Sequence, residues 1–236
     1  MADQLDPPLH PVGEDGPVQD AEWPERPDET DLGGGVGVGP WQGPWPDDPR
    51  HDPELLAHGD RRNVVDRYRY WRREAVIADL DLRRHPFHVA IENWQHDLNI
   101  GSVVRTANAF LAREVHIIGR RRWNRRGAMV TDRYQHLRHH PDIETFAGWA
   151  RAADLSLVGV DNLPGAVPLE TYDLPAACVL VFGQEGPGLS PAAGDACDVV
   201  LSIAQYGSTR SINAGAAAAI AMHAWLRRHG FDQKPG

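Results

Sequence analysis

Apolar and polar positions along this chain change rhythm twice, and the changes mark its parts. From residue 86 onward, short apolar runs alternate with helical patterns. Residues 87–91 read as a strand, followed by a polar loop over 92–99, the helical pattern GSVVRTANAFLA and a second strand, VHIIG. Connections this short between strand, helix and strand imply parallel pairing with a right-handed crossover. Asn99 is placed to cap the helix. Residues 144–153 have helical spacing and 156–161 read as another strand, bracketed by Asp154 and Asp161. One continuous apolar run, 178–182, suits a central strand covered on both faces, and 199–203 reads as a second strand. Each empties into a loop of small residues: 183–188, with Glu185 at its apex, and 204–210, with Ser211 and Asn213 just beyond. Paired loops at the carboxyl ends of strands are where an open α/β sheet binds ligands. The pattern therefore predicts an α/β fold, mostly parallel, organised around a cleft.

Residues 211–228 read as an alanine-rich helix whose small face, Ala214, Gly215, Ala218 and Ala221, permits close packing in a core or across a dimer. Upstream of the sheet the rhythm differs. Over 54–85, Val64, Val65, Tyr68, Trp71, Ala75 and Ala78 recur at helical spacing with Arg61, Arg62, Arg67, Arg69, Arg72 and Arg73 between them. This predicts an amphipathic helix whose arginine face is either solvated or rests on phosphates. Residues 1–53 show neither period. Rich in Pro, Gly and Asp, they cannot bury enough apolar surface to offset ordering, and they read as a disordered tail or a loose wrap. Trp23, Trp41 and Trp45 are the discordant feature, since each could dock on the body.

Charge alters this picture. The formal net charge is −9 and the pI about 5.7, which argues against a nucleic-acid partner. Residues 1–60, however, hold 15 Asp and Glu against 2 Arg, a net −13, while the rest holds 22 Lys and Arg against 18 acids, a net +4. The ordered part is mildly basic. After VHIIG, Arg120, Arg121, Arg122, Arg125 and Arg126 surround Trp123 and Asn124. Such interleaving suits RNA, with guanidinium groups on phosphates and a ring on an unpaired base, or it is a solvated charge run. His136, His139 and His140 stand at i, i+3 and i+4, but no Cys or carboxylate completes a site, so no metal is expected. Two cysteines, no apolar run near the roughly 18 residues of a membrane span and no signal segment point to a soluble, reduced, cytoplasmic protein.

Three motifs occur in one order and spacing: Asn99-x-Gly101-x3-Arg105-x-Ala107; Leu180-Val181-Phe182-Gly183-x-Glu185-Gly186-x-Gly188-Leu189; and Ser202-Ile203 followed by Ser211-Ile212-Asn213. Together they resemble the SpoU-type branch of the SPOUT superfamily, the RNA ribose 2'-O-methyltransferases, especially its TrmH-like tRNA-modifying members. The resemblance covers residues 86–228. Ile212 replaces a more usual leucine, and Gly215 stands where serine is common.

The resemblance implies a deep carboxyl-terminal trefoil knot within residues 86–230, a homodimer formed through the knot and final helix, and S-adenosyl-L-methionine held at Gly183, Ile203 and Ile212. It implies an essential arginine at Arg105, sometimes described as a base. Guanidinium has a pKa above about 12, so Arg105 serves better as an electrostatic clamp on a phosphate and the developing alkoxide. On the same resemblance Asn99 orients Arg105 or the ribose, Glu185 anchors the cleft, and Ser211 and Asn213 place the nucleotide. Glu185, Ser211 and Asn213 could equally only stabilise loops. tRNA is the favoured substrate, with ribosomal RNA or a non-catalytic RNA-binding role as alternatives. A dinucleotide-binding oxidoreductase is disfavoured, because no Gly-x-Gly-x-x-Gly follows the first strand.

Overall fold

A computed structural model describes residues 37–95 and 99–230. The expected tail over residues 1–36, with Trp23, lies outside the described residues.

Strands β1 (His88–Asn93), β2 (Val115–Gly119), β3 (Leu137–His140), β4 (Ser156–Val160), β5 (Val167–Pro168), β6 (Cys178–Phe182) and β7 (Val199–Ser202) form one sheet in the order β3-β2-β1-β6-β4-β7-β5. Every pairing is parallel. Alternation along each strand divides the core between the two faces. Val89, Ile91, Leu180 and Phe182 pack with helices α3 (Asn99–Ala109) and α6 (Ala214–His229), through Ile100, Val103, Val104, Met222 and Trp225. Ala90, Ile118, Val179 and Val181 face α4 (Ile143–Ala152) and α5 (Pro191–Ala196), through Ile143, Phe146, Ala147 and Ala193. A sheet covered on both sides explains why β6 is a continuous apolar run. The small face of α6 is spent inside the chain, where Gly215, Ala218 and Ala221 are buried. Cys178 and Cys197 are free thiols; burial pushes both up to about 12, so neither is a nucleophile near neutral pH.

Several local expectations are corrected. β1 runs on to Asn93, so Glu92 and Asn93 belong to the strand and are fully buried instead of lying in a polar loop. Asn99 is the first residue of α3, not its cap, and its side chain is engaged elsewhere. The residue 54–85 stretch is not one helix. It breaks into α1 (Pro53–His58), a 3-10 turn (Asp66–Tyr68) and α2 (Arg73–Asp81). The cause is local: Gly59 and Tyr70 take positive φ, and the Asp60 carboxylate folds the chain around itself. Asp60 accepts from the Arg62 guanidinium at 2.7 and 2.9 Å and from the Tyr70 N–H at 2.9 Å.

Residues 37–53, expected in the tail, pair with this segment. Val38 and Asp60 exchange backbone hydrogen bonds at 2.9 Å, the Arg72 N–H donates to the Arg50 carbonyl, and Trp41 meets Tyr70 edge-on at 5.4 Å. The arginines here are largely committed to the protein. Arg62 holds Asp60, Arg67 holds Asp79 and Arg72 reaches the His51 carbonyl. Arg84 bonds Asp81, Gln135 and the Tyr134 carbonyl, fastening the segment to the sheet domain. His136, His139 and His140 sit at or on β3, not on a helix, and go separate ways. His136 meets Asp81, His139 meets the Gly119 carbonyl, and His140 is buried.

Candidate active site

The cleft opens at the carboxyl ends of β4, β6 and β7. It is lined by Val160, Phe182, the 183–188 loop, Ile203, Gln205, Ser211 and Ile212 among others. Its shape depends on glycine at defined points. A β-carbon on Gly183 would lie 1.9 Å from the Gly188 carbonyl carbon, so the loop can double back only without one. Gly186 and Gly188 take φ values of 89° and 73°, and Gln184 and Gly188 exchange hydrogen bonds at 3.1 and 3.0 Å. The result is a tight ring of backbone that projects Glu185 outward.

Glu185 ties three chain segments together. Its Oε2 accepts from Asn99 Nδ2 at 2.9 Å, Asn213 Nδ2 at 3.1 Å and the Ala214 N–H at 2.9 Å. Asn213 Nδ2 also donates to Asn99 Oδ1 at 2.9 Å, while its Oδ1 caps α6 by accepting from the Ala216 N–H. The carboxylate thus sits at the start of a long helix, where the macrodipole favours negative charge. Arg105, on the exposed side of α3, is outside the cleft lining. Among the described residues its guanidinium has no hydrogen bond or ion pair. Glu114, one conceivable partner, is instead held by Arg138 at 3.2 Å. Gly183, Ile203, Ser211 and Ile212 line the cleft, and Asn99 and Asn213 reach it through Glu185.

The arginine loop is anchored beside these residues. A β-carbon on Gly101 would lie 2.7 Å from the Ala128 nitrogen, so the loop rests directly on the first turn of α3. Asn93 Nδ2 donates to the carbonyls of both Arg120 and Arg122 at 2.7 Å, pinning the loop from below. All five arginines are exposed. Trp123 is buried in the core, which removes the expected ring for stacking on a base. Arg125 is committed, with Asp132 at 3.2 Å and the Trp123 ring 5.4 Å beneath it. Arg120, Arg121 and Arg126 have side chains with no hydrogen bond or ion pair among the described residues.

Sequence reasoning missed the residues that hold the cleft from behind. Glu92, fully buried, accepts from the Ser190 N–H at 2.8 Å, Ser190 Oγ at 2.7 Å and Trp94 Nε1 at 2.8 Å. Asp161 accepts from the Leu189 and Asn162 N–H groups at 2.7 Å, and Gln184 Oε1 accepts from the Trp94 N–H at 2.9 Å. A lone carboxylate closing the apolar run FHVAIE was the available signal for Glu92. Tyr206, 97% exposed on the loop after β7, was missed too.

Residues 86–223 match the SpoU rRNA Methylase family. Proteins of Mycolicibacterium vanbaalenii and Mycolicibacterium smegmatis, each named an uncharacterized tRNA/rRNA methyltransferase, are 31% and 33% identical over 186 residues. In both cases the match covers 74% of this chain and 58% of the relative, so the chain spans little more than half their length. Among solved structures, the SpoU methyltransferase AviRb of Streptomyces viridochromogenes, in complex with AdoMet, is 26% identical with a TM-score of 0.56. The match covers 64% of this chain and 60% of that one. The A. aeolicus TrmH/SpoU tRNA modifying enzyme shares the fold at 19% identity and TM-score 0.60, over 68% of this chain and 83% of its own.

Proposed function

The chain belongs to the SpoU methylase family, and on that premise we propose that it methylates a ribose 2'-hydroxyl of RNA, tRNA before ribosomal RNA, using S-adenosylmethionine. The observation that carries this reading is the convergence of Asn99, Asn213 and the Ala214 N–H on Glu185, at the mouth of a glycine-built cleft. The cleft suits an adenosyl ligand. Val160, Phe182, Ile203 and Ile212 give it apolar walls, and Gln205 Oε1, buried without a partner among the described residues, offers an acceptor to a ligand N–H. Gly183, Ile203 and Ile212 would hold the ligand, whose sulfonium supplies an electrophilic methyl group. On this reading the loops around them are the knot of the family, and a second copy of the chain packs on α6.

The roles of the chain's own residues follow from their chemistry. In-line transfer to a ribose oxygen needs that oxygen positioned and its developing charge met. Arg105, exposed and unpaired among the described residues, would hold the adjacent phosphate and that charge without giving up its own proton. Asn99 and Asn213, fixed through Glu185, would set the edge against which the nucleotide rests, with Ser211 beside them. Arg120, Arg121 and Arg126 would hold phosphates further along the RNA, and Tyr206 offers a ring to an unstacked base in place of the buried Trp123.

The ribosomal alternative draws on the family's description as an rRNA methylase. Mapping 2'-O-methylation across cellular RNA with and without the gene separates the two. The expected result is one tRNA nucleotide that loses its methyl group and regains it from the purified chain with S-adenosylmethionine. Loss confined to ribosomal RNA would select the alternative, and no loss in either RNA would sink the reading.

A further inference from the structure

Near the amino ends of β1 and β2, away from the cleft at the carboxyl ends, three imidazoles and a carboxylate gather on the face covered by α4. His88 opens β1, Glu114 immediately precedes β2, and His116 is two residues further on, so period-two alternation puts all three side chains on one face. His88 Nδ1 lies 3.1 Å from His116 Nε2, and His116 Nε2 lies 3.8 Å from Glu114 Oε2. One ligand atom from each residue falls within 4.8 Å of the others. These separations bracket the roughly 3.3 Å edge of a tetrahedron around zinc with bonds of about 2.0–2.1 Å.

The surroundings single out these atoms. Glu114 Oε2 is buried and accepts no hydrogen bond, although Oε1 is taken by Arg138 at 3.2 Å. A buried carboxylate oxygen without a donor calls for a water or a cation to satisfy it. The other nitrogen of His116, Nδ1, lies 3.0 Å from His140 Nε2. If Nδ1 donates there, Nε2 presents its lone pair toward His88 and Glu114, the outer hydrogen bond that metal-binding histidines usually have. Trp149 covers His116 with ring centroids 4.2 Å apart, and a surface recess lined by His88, Glu114, Arg138 and Trp149 gives access.

We propose that His88, Glu114 and His116 form a zinc site with water in the fourth position, which braces β1 against β2 and takes no part in methyl transfer. The expectation of no metal rested on His136, His139 and His140, and of these only His140 contributes, as the outer partner of His116.

The test is equilibrium dialysis of the untagged full chain against zinc chloride, with metal analysis and thermal unfolding. The wild type should retain one zinc per chain. Its unfolding temperature should rise by about 5–10 °C at a hundredfold excess of zinc over Kd. Glu114→Gln keeps an acceptor for Arg138 and should fold, yet lose more affinity than the roughly 10–100-fold typical of removing an outer partner. His88→Gln should do the same, with unfolding of both variants in chelator close to wild type. If the wild type retains no zinc, or if both variants retain it as tightly as the wild type, the proposal is overturned.

Discussion

Gly183 and Gly188 are so close that a single added carbon on Gly183 would lie 1.9 Å from the Gly188 carbonyl carbon. Nothing at that point is a flexible side chain, so the backbone itself must give way. Gly183→Ala should reopen the loop and cost about 1–3 kcal/mol, the scale of overpacking. Calorimetry should show S-adenosylmethionine binding weakened at least tenfold. Undiminished binding would mean that the ring of backbone is not what shapes the cleft.

Glu185 is solvent-exposed, so its three hydrogen bonds should contribute more to position than to stability. Glu185→Ala should therefore lower the unfolding free energy by only about 1 kcal/mol, while turnover falls by about 100-fold, the loss typical of a misplaced charge-stabilising group. Asn99→Ala and Asn213→Ala should be non-additive with it in a double-mutant cycle of turnover, because all three share one carboxylate oxygen or its neighbour. Strict additivity would show the three residues acting independently.

Arg105 and the arginine loop should separate in kinetics. Replacing Arg121 and Arg126, which lack protein partners among the described residues, should weaken RNA binding and lower the salt slope by roughly 0.7–0.9 for each phosphate left unneutralised. Turnover at saturating RNA should change little, since such interactions act equally on ground and transition states. Arg105→Ala should cost about 100-fold in single-turnover rate at saturating RNA, with cofactor affinity kept. Arg105→Lys should rescue only in part, because it keeps charge but loses the planar fork. A wild-type rate for Arg105→Ala would make Arg105 a binding residue only.

The Asp60–Arg62 pair should make the amino-terminal segment sensitive to acid. Burial pushes the Asp60 carboxyl up, but the Arg62 guanidinium and the N–H groups of Tyr70 and Arg62 outweigh it and hold the carboxyl below its usual value. A carboxyl depressed in the folded state stabilises fully above its unfolded pKa of about 3.9, and that contribution is lost as pH falls through the folded value. Asp60→Ala leaves Arg62 buried and should cost about 3–5 kcal/mol at pH 7. Urea unfolding should show the gap between wild type and variant closing below about pH 4. A gap that widens on acidification would contradict the assignment.

The sequence by itself determined the five inner strands and the mouth of the site, but not the two edge strands β3 and β5. β6 falls where its apolar run placed it, because a strand buried on both faces has no polar position to blur its limits, and β2 matches the predicted VHIIG with its one polar residue, His116, buried as well. The 183–188 loop with Glu185 at its apex was legible for a related reason, since glycines after a strand have few other uses. The family motifs marked Asn99, Arg105, Ser211 and Asn213 but not which of them meet.

Tertiary structure decided what depends on partners distant in the chain. Asn99 has the composition of a helix cap, yet a carboxylate 86 residues away takes its side chain. Trp123 looked like a stacking ring among arginines, but hydrophobic burial claimed it for the core. Residues 54–85 have helical spacing, and the buried carboxylate of Asp60 breaks them into two short helices and a 3-10 turn, with residues 37–53 laid across them. Periodicity reports only which positions are apolar. Where a buried charge lies among them, it must find its counter-ion and donors, and that requirement overrides the local helical preference. The same reason hid the His88–Glu114–His116 cluster: its members are 26 and 28 residues apart from His88 along the chain, and only parallel pairing of β1 with β2 brings them together.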